Sequence, residues 1–469
     1  MSNTNRWKSQ QPQHLIKKLL PYVVYALLPI ALFSFYFYPF PRLPQPPAAD
    51  HFSHVTPAVS TTSPLSYSAS PPSRAQGKNV NEILHPASSP AKKESGNGVL
   101  SDAKRNEVTS NCDYTNGEWL RDSRDPLYNG SNCGTIKDGQ NCMAHGRPDK
   151  GYLYWRWKPR DCNLPRFNPQ LFLQILKGKH LAFVGDSMAR NQLESLLCML
   201  SSFSPPNLVY SEGDDNKFRR WHFPSHYVNI SVYWSPFLVK GIEKDGDRDY
   251  NELYLDSVDE MWASDLDSID MVVLSIGHWY LLRAIYHDGD LIVGCHALES
   301  LNCTEIGFYN VFGKAFNTAL KTIIQRKGFK SNGIDVIVTA FSPHHFEGEW
   351  DKLGACPRTE PYKEGEKTVE GMDAEMRRRE VEEVTKAKTM LNADDGLPKV
   401  RIEALDVTKL ALLRPDGHPG PYMYPFPFAD GIKEHVQNDC VHWCLPGPID
   451  TWNEVLLDIA KRWHVSSMR

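Results

Sequence analysis

Four short runs rich in apolar and β-branched residues stand out along the chain: His180–Val184, Met271–Ile276, Val336–Ala340 and Val400–Asp406. Runs with little polar alternation are what strands buried on both faces require, as in a parallel sheet. Met188–Leu200 and Phe308–Gln325 carry apolar residues at helical spacing, and Ile449–Trp463 is expected as a closing helix. Gly371–Leu391 is also expected to be helical, but it is highly charged with few apolar anchors and should lie on the surface. Strands alternating with helices predict an α/β fold with a central, mostly parallel, doubly wound sheet. In such sheets ligands gather at the carboxyl ends of the strands. Three of the runs end in residues with chemistry to offer: Gly185-Asp186-Ser187, Gly277-His278-Trp279 and Ser342-Pro343-His344.

The hydrophobic pattern changes character towards the N-terminus. Leu19–Phe40 contains no charged residue over 22 positions, enough for a membrane-spanning helix. Arg6, Lys8, Lys17 and Lys18 precede it and only Arg42 follows closely, so residues 1–18 are expected in the cytosol and the remainder in a lumen. The alternative, a cleaved signal peptide, fits less well: the stretch exceeds a usual apolar core and no small-x-small cleavage site follows. Residues 41–110 are rich in Pro, Ser, Thr and Ala, with few large apolar residues, as in a flexible stalk. Residues 111–469 then form the lumenal globular part. Its first portion, 112–178, holds four cysteines and the aromatic run Tyr152–Trp157, expected as a smaller disulfide-stapled lobe packed on the sheet.

Composition narrows the function classes. The net charge of −4 is small and the basic residues are scattered, so no nucleic-acid surface is expected. The ten cysteines lack paired C-x-x-C spacings, which favours disulfides in an oxidising compartment and no metal centre. Sequons at Asn129, Asn229 and Asn302 agree with a glycosylated, lumenal protein.

Ser187 can be read in two ways. Ser and Asp are favoured helix caps, because their oxygens accept orphan N–H groups of the first turn. A serine at a strand-to-helix turn is also where a nucleophile would be exposed beside backbone N–H donors. The elbow G-x-S-x-G is not matched, since Ala189 stands at the second glycine position. A nucleophilic Ser187 therefore needs a base from elsewhere. Asp439 and His442, three residues apart, could face a common point. A carboxylate on an imidazole fixes its tautomer and stabilises the imidazolium formed when the serine proton is taken.

Gly185–Ser187 together with Asp439–Asn453, DCVHWCLPGPIDTWN, resembles the plant trichome-birefringence-like family of polysaccharide O-acetyltransferases. Gly117-Glu118-Trp119, Trp155-Arg156-Trp157, Gly277-His278-Trp279 and Ser342–Trp350 agree, and so does the anchor-plus-stalk layout. The resemblance implies an SGNH/GDSL-like layered fold with a smaller lobe. It implies acetylation of a cell-wall polysaccharide in the Golgi by a single-pass type II membrane protein. Ser187 would be the nucleophile, His442 the base and Asp439 its orienting acid, with no bound cofactor and an acetyl donor as co-substrate. It also implies the bridges Cys112–Cys162, Cys133–Cys198, Cys142–Cys444 and Cys356–Cys440, leaving Cys295 and Cys303 to close a local loop.

SGNH esterases place an Asn where this chain has Gly277-His278-Trp279, so the oxyanion donors stay open among the Ser187 and Gly277 N–H groups and the Arg190 and Asn191 side chains. Gly213–Val239 resembles members associated with xyloglucan, which implies a sugar 6-hydroxyl as acceptor. Trp221, Tyr233 and Trp234 are candidates for stacking on sugar rings or for core packing. The same residues would also serve an esterase using water, or a wall-polymer binding protein without catalysis; an intact Ser, His and Asp argue against the last.

Overall fold

A computed structural model describes residues 112–468 apart from 214–216, 299–301, 329–332, 394–399 and 434. The expected cytosolic tail, membrane anchor and stalk lie outside the described residues. The chain begins with β1 (Gly117–Arg121) and β2 (Trp155–Pro159), an antiparallel pair. Then come α1 (Pro169–Ile175), β3 (His180–Gly185), α2 (Ser187–Ser201), β4 (Asn207–Glu212), β5 (Phe218–Phe223) and β6 (Val228–Trp234). They are followed by β7 (Val239–Ile242), β8 (Asn251–Val258), α3 (Glu260–Ala263), β9 (Met271–Ser275), β10 (Ala284–Asp288) and β11 (Leu291–His296). The chain closes with α4 (Tyr309–Lys327), β12 (Ile334–Thr339), α5 (Gly371–Ala393), β13 (Val400–Leu405), α6 (Thr408–Leu412) and α7 (Asp450–Ser467).

The main sheet has the order β13-β12-β9-β3-β6-β5-β4. β13, β12, β9, β3 and β6 are parallel, and β5 and β4 extend the sheet antiparallel. The first parallel strand, β3, is central; the chain crosses to β6 on one side and later to β9 on the other. The strand order thus reverses between β3 and β9, which opens a crevice at their carboxyl ends. Ser187 stands at that crevice.

Alternation along each strand separates two cores. Leu181 and Phe183 pack with Leu193, Leu196, Leu197 and Leu200 of α2 and with Trp452, Val455, Leu456 and Ile459 of α7. Ala182 and Val184 face the other way, towards Phe312, Phe316 and Ile323 of α4. Helices therefore cover both faces, which is why the central runs carry so few polar positions. Trp119 and Trp157 of the N-terminal lobe join the α2/α7 core, so the lobe shares its hydrophobic interior with the sheet.

Two features differ from the sequence expectation. A second sheet, in the order β11-β10-β8-β7, packs on the α4 side through residues such as Leu253, Leu255 and Tyr286. The burial of β8 alternates, which makes it a half-buried strand with a charged face and not an apolar run. The charged helix α5 is also more anchored than its sequence suggests. Met376, Val384 and Ala387 are buried, and the buried Glu380 accepts the Phe341 N–H at 2.7 Å.

All ten cysteines are bridged: Cys112–Cys162, Cys133–Cys198, Cys142–Cys444, Cys295–Cys303 and Cys356–Cys440. These are the pairs the resemblance implied. Of the sequon asparagines, Asn129 and Asn302 are exposed. Asn229 lies within β6, half-buried, with its Oδ1 3.0 Å from His222 Nδ1, a packing position unlike an open glycan acceptor.

Candidate active site

The turn after β3 is built from its sequence in three steps. Gly185 must be glycine because a Cβ there would stand 1.8 Å from the Ser275 carbonyl oxygen of the neighbouring β9. Asp186 then caps α2: its Oδ1 accepts the Met188 N–H at 2.9 Å. Its Oδ2 accepts the Gly277 N–H at 2.9 Å, tying the ends of β3 and β9 together. Burial pushes this carboxyl up to about 6, against the pull of its two N–H donors. Capping by Asp186 relieves Ser187 of that role. Ser187 opens the helix, half-buried at the sheet edge.

The Asp439–His442 pair lies in a loop fixed from several sides. Asp439 Oδ2 stands 2.7 Å from His442 Nδ1, and its Oδ1 accepts the N–H groups of Val441 and His442 at 3.0 and 2.9 Å. The Asp439 backbone pairs with Gly420 in both directions. Burial raises the Asp439 carboxyl, but the His442 charge and hydrogen bonds outweigh it and hold it well below the usual carboxylate range. Burial also lowers the basicity of His442, and the Asp439 charge and hydrogen bond reverse this, leaving the ring above its ordinary value. With Asp439 on Nδ1, the far nitrogen Nε2 is the one available to a substrate or nucleophile. It is buried and has no hydrogen-bond partner among the described residues.

Asn191 connects the two halves. It lies one turn along α2 from Ser187, on the same face. Its Oδ1 accepts the Trp443 N–H at 2.8 Å and its Nδ2 donates to the Trp443 carbonyl at 3.2 Å. The residue after His442 is thus fastened to the helix that Ser187 begins. No hydrogen bond between Ser187 and His442 is present among the described residues. Asn191→Ala should leave two buried backbone groups unpaired, at a cost of roughly 2–4 kcal/mol. Both the melting temperature and acyl-transfer rates should fall; an unchanged rate would show that the loop is placed without this clamp.

The N-terminal lobe supplies further fixing. Cys142 is bridged to Cys444. Arg147 donates to the carbonyls of His418 and Asp416 at 2.8 and 2.7 Å. Arg414, fully buried, pairs with Asp416 at 2.8 and 2.9 Å and donates to the Tyr152 carbonyl at 2.7 Å. Such a pair is stable in the interior because its hydrogen bonds are filled.

Several candidates have other work. The Gly277 N–H is engaged by Asp186, and the Asn191 amide gives one of its two N–H groups to the Trp443 carbonyl. His278 Nε2 lies 3.0 Å from the Ser342 carbonyl, and burial lowers its basicity to about 4; it laces β9 to the segment after β12 as a neutral donor. The Met188 N–H is taken by Asp186, while the Ser187 N–H, at the first position of α2, has no intrahelical acceptor. Arg190 lies 5.4 Å from the Trp234 ring.

Trp221 and Tyr233 are 5% and 1% exposed, too little for a ring face to meet a sugar. Tyr233 stacks on Phe218 and donates to Asp265 at 2.5 Å. Trp234 differs: it is half-buried, pairs with Gly185 in the sheet register, and packs edge-on against Trp279 at 5.3 Å. Adjacent strands are about 4.8 Å apart, so these two indoles flank the Ser187 edge. Trp279 stands in the sequence only as part of Gly277-His278-Trp279 and not as a sugar contact, because the single 3-10 turn that carries it is too short to show a period.

A buried cap at a strand-order reversal, a serine beyond it and a carboxylate–imidazole pair delivered from the C-terminus define the site of an SGNH-like acyl-esterase fold. Residues 164–459 match the GDSL/SGNH-like acyl-esterase family found in Pmr5 and Cas1p, and residues 110–163 match the PMR5 N-terminal domain. The chain belongs to this PC-esterase family. It is 60% identical to xyloglucan O-acetyltransferase 1 of Populus trichocarpa, over 98% of this chain and 96% of that protein. It is 58% identical to xyloglucan O-acetyltransferase 1 of Arabidopsis thaliana, over 76% and 81%, and 44% identical to protein trichome birefringence-like 26 of Arabidopsis thaliana, over 75% and 78%.

Proposed function

We propose that this protein is a polysaccharide O-acetyltransferase acting on xyloglucan, at the 6-hydroxyl of side-chain galactose, through an acetyl-serine intermediate. Near-full-length identity to a xyloglucan O-acetyltransferase carries the reading. Ser187 Oγ attacks the acetyl carbonyl of the donor while His442 Nε2 takes its proton. The donor's leaving group departs with that proton. The sugar hydroxyl then attacks the acyl-serine, its proton passing to His442 and on to Ser187. The Ser187 N–H, as a first-turn donor without an intrahelical acceptor, supports the oxyanion. Arg190 is a candidate for the same role.

The acceptor must compete with water at far higher concentration, so it has to be oriented closely. Trp234 and Trp279 offer aromatic edges for this beside Ser187. Trp234 also borders a cleft of about 310 Å³ with Lys217, Phe218, Phe237 and Glu243, a mixture of aromatic and polar groups suited to a sugar. The acetyl donor is a co-substrate, and no bound cofactor is needed. The apolar Leu19–Phe40 stretch and the cysteine usage support a type II Golgi membrane protein with its catalytic part in the lumen.

Purified full-length protein should be given an acetyl donor and equal masses of de-acetylated xyloglucan, xylan, mannan and pectin, with products read by mass. Incorporation should go chiefly to xyloglucan. Acetylation mainly of xylan or mannan would remove the xyloglucan assignment and leave the chemistry. Donor hydrolysis exceeding transfer at saturating acceptor would favour an esterase.

A further inference from the structure

Behind His442 the loop rests on two buried histidines, His418 at 4% and His345 at 8% exposure. His418 Nδ1 lies 2.6 Å from the His442 carbonyl oxygen. His418 Nε2 lies 2.7 Å from His345 Nδ1, and His345 Nε2 lies 2.8 Å from the Leu412 carbonyl oxygen. A carbonyl oxygen only accepts, so each outer nitrogen must carry a proton. The central N···N contact requires one proton more. The four nitrogens thus hold three protons, one more than two neutral imidazoles possess. We propose that His345 and His418 form a singly protonated pair whose third proton braces the backbone of His442, making both of them positioning residues for the base. The catalytic part of this inference rests on the proposed role of His442; the proton count does not.

With only two protons, one of the three contacts would set lone pair against lone pair at under 3 Å, and the brace would loosen. Trp443 favours the charged form: its ring stacks on His418 with centroids 4.2 Å apart, a geometry that accommodates a cation. Burial works the other way and lowers the basicity of both rings. The remaining charges come from every side of the pair. From the loop after α6, Asp416 favours the charge on His345 but is already paired with Arg414, and Arg147 donates to the His418 carbonyl. From the base loop, Asp439 favours the charge on His418 and His442 opposes it. From the segment after β12, His344 and Lys367 oppose the charge on His345, and the Tyr362 ring lies 6.5 Å away. The balance makes the third proton titratable, so the His442 loop should be firmer at acid pH.

The full-length protein, labelled with [15N]histidine, should be followed by long-range proton–nitrogen correlation from about pH 4, the value to which burial lowers His345, to roughly pH 8. His345→Gln and His418→Gln assign the signals. One ring with both nitrogens protonated and its neighbour with one, the third proton leaving as pH rises, is the expected result. Two neutral rings with one N–H each at every pH where the chain is folded would overturn the proposal. Amide exchange of residues 438–447 gives a second reading. Protection in the wild type should decline as the third proton leaves. In His418→Asn, whose amide can reach the His442 carbonyl without titrating, protection should stay level; an identical decline would overturn the brace. His345→Gln should lower kcat by about tenfold with little change in acceptor KM, as expected for a mispositioned base. A wild type without any transfer would defeat the functional reading while leaving the proton count measurable.

Discussion

Ser187→Ala is expected to lower acetyl transfer by roughly 10³-fold or more, the scale of loss usual for a nucleophile in such a set. The fold should barely notice. Asp186, not Ser187, caps α2, and the half-buried Ser187 makes no side-chain hydrogen bond among the described residues. Alanine is also the best helix former. A change in unfolding free energy within about 1 kcal/mol is therefore expected. Initial rates and thermal melts on the same preparation separate the two effects. When acceptor is withheld, rapid quench and peptide mass mapping should find acetyl on Ser187 in the wild type. Near-normal transfer by the alanine variant, or acetyl only on another residue, would exclude the acyl-serine route.

The second large effect belongs to the Asp439–His442 pair. Asp439→Asn keeps an oxygen for the Val441 and His442 N–H groups but turns an amide towards His442 Nδ1. The imidazole is then held in the wrong tautomer, a change that costs about 10⁴-fold in the serine protease case. His442→Ala should cost about as much as loss of the serine. The pH profile should respond in a definite direction. In the wild type the ring lies above its ordinary value, so transfer should fall as pH drops through that raised value and the base becomes charged. Without Asp439, burial dominates and lowers the ring's basicity. The acid limb of the residual activity should therefore move to lower pH. Movement to higher pH would show that the Asp439 charge is not what sustains His442.

The same linkage governs stability. The raised imidazole contributes fully below its unfolded value of about 6.5 and loses the contribution as pH rises through the folded one. The depressed Asp439 contributes above about 3.9 and loses the contribution as pH falls through its folded value. The pair should thus stabilise most between those two pH values.

The parallel core was legible because strands buried on both faces leave nothing but apolar side chains to read. β3, β9, β12 and β13 lie within two residues of the apolar runs that mark them. The second sheet was hidden because β8 alternates Leu253 and Leu255 with polar neighbours, while β10 and β11 are too short to show a period. Gly185 and Asp186 were visible as a motif, but their reasons were not. The close approach of Ser275 and the reach to Gly277 depend on β9, some 90 residues away. Asn191 looked like an oxyanion donor because it follows Ser187 by one turn. Only the fold reveals that its side chain also clamps the Trp443 backbone. Trp221 and Trp234 are both aromatic and lie on the neighbouring strands β5 and β6, and one is core while the other meets the edge. That distinction depends on which strands stop at the crevice, which composition does not encode.

The bridges on either side of His442 have a consequence for how the protein matures. Cys440 reaches back 84 residues to Cys356 and Cys444 reaches back 302 residues to Cys142, so the base loop joins parts of the chain synthesised long before it. Ser187 is made well before the loop that carries Asp439 and His442. A nascent chain therefore carries Ser187 through the synthesis of residues 188–438 before the loop of Asp439 and His442 exists. Oxidation of two late cysteines then fastens this loop to both earlier segments. Cleaving these two bridges would untie the loop from the distant segments that hold it.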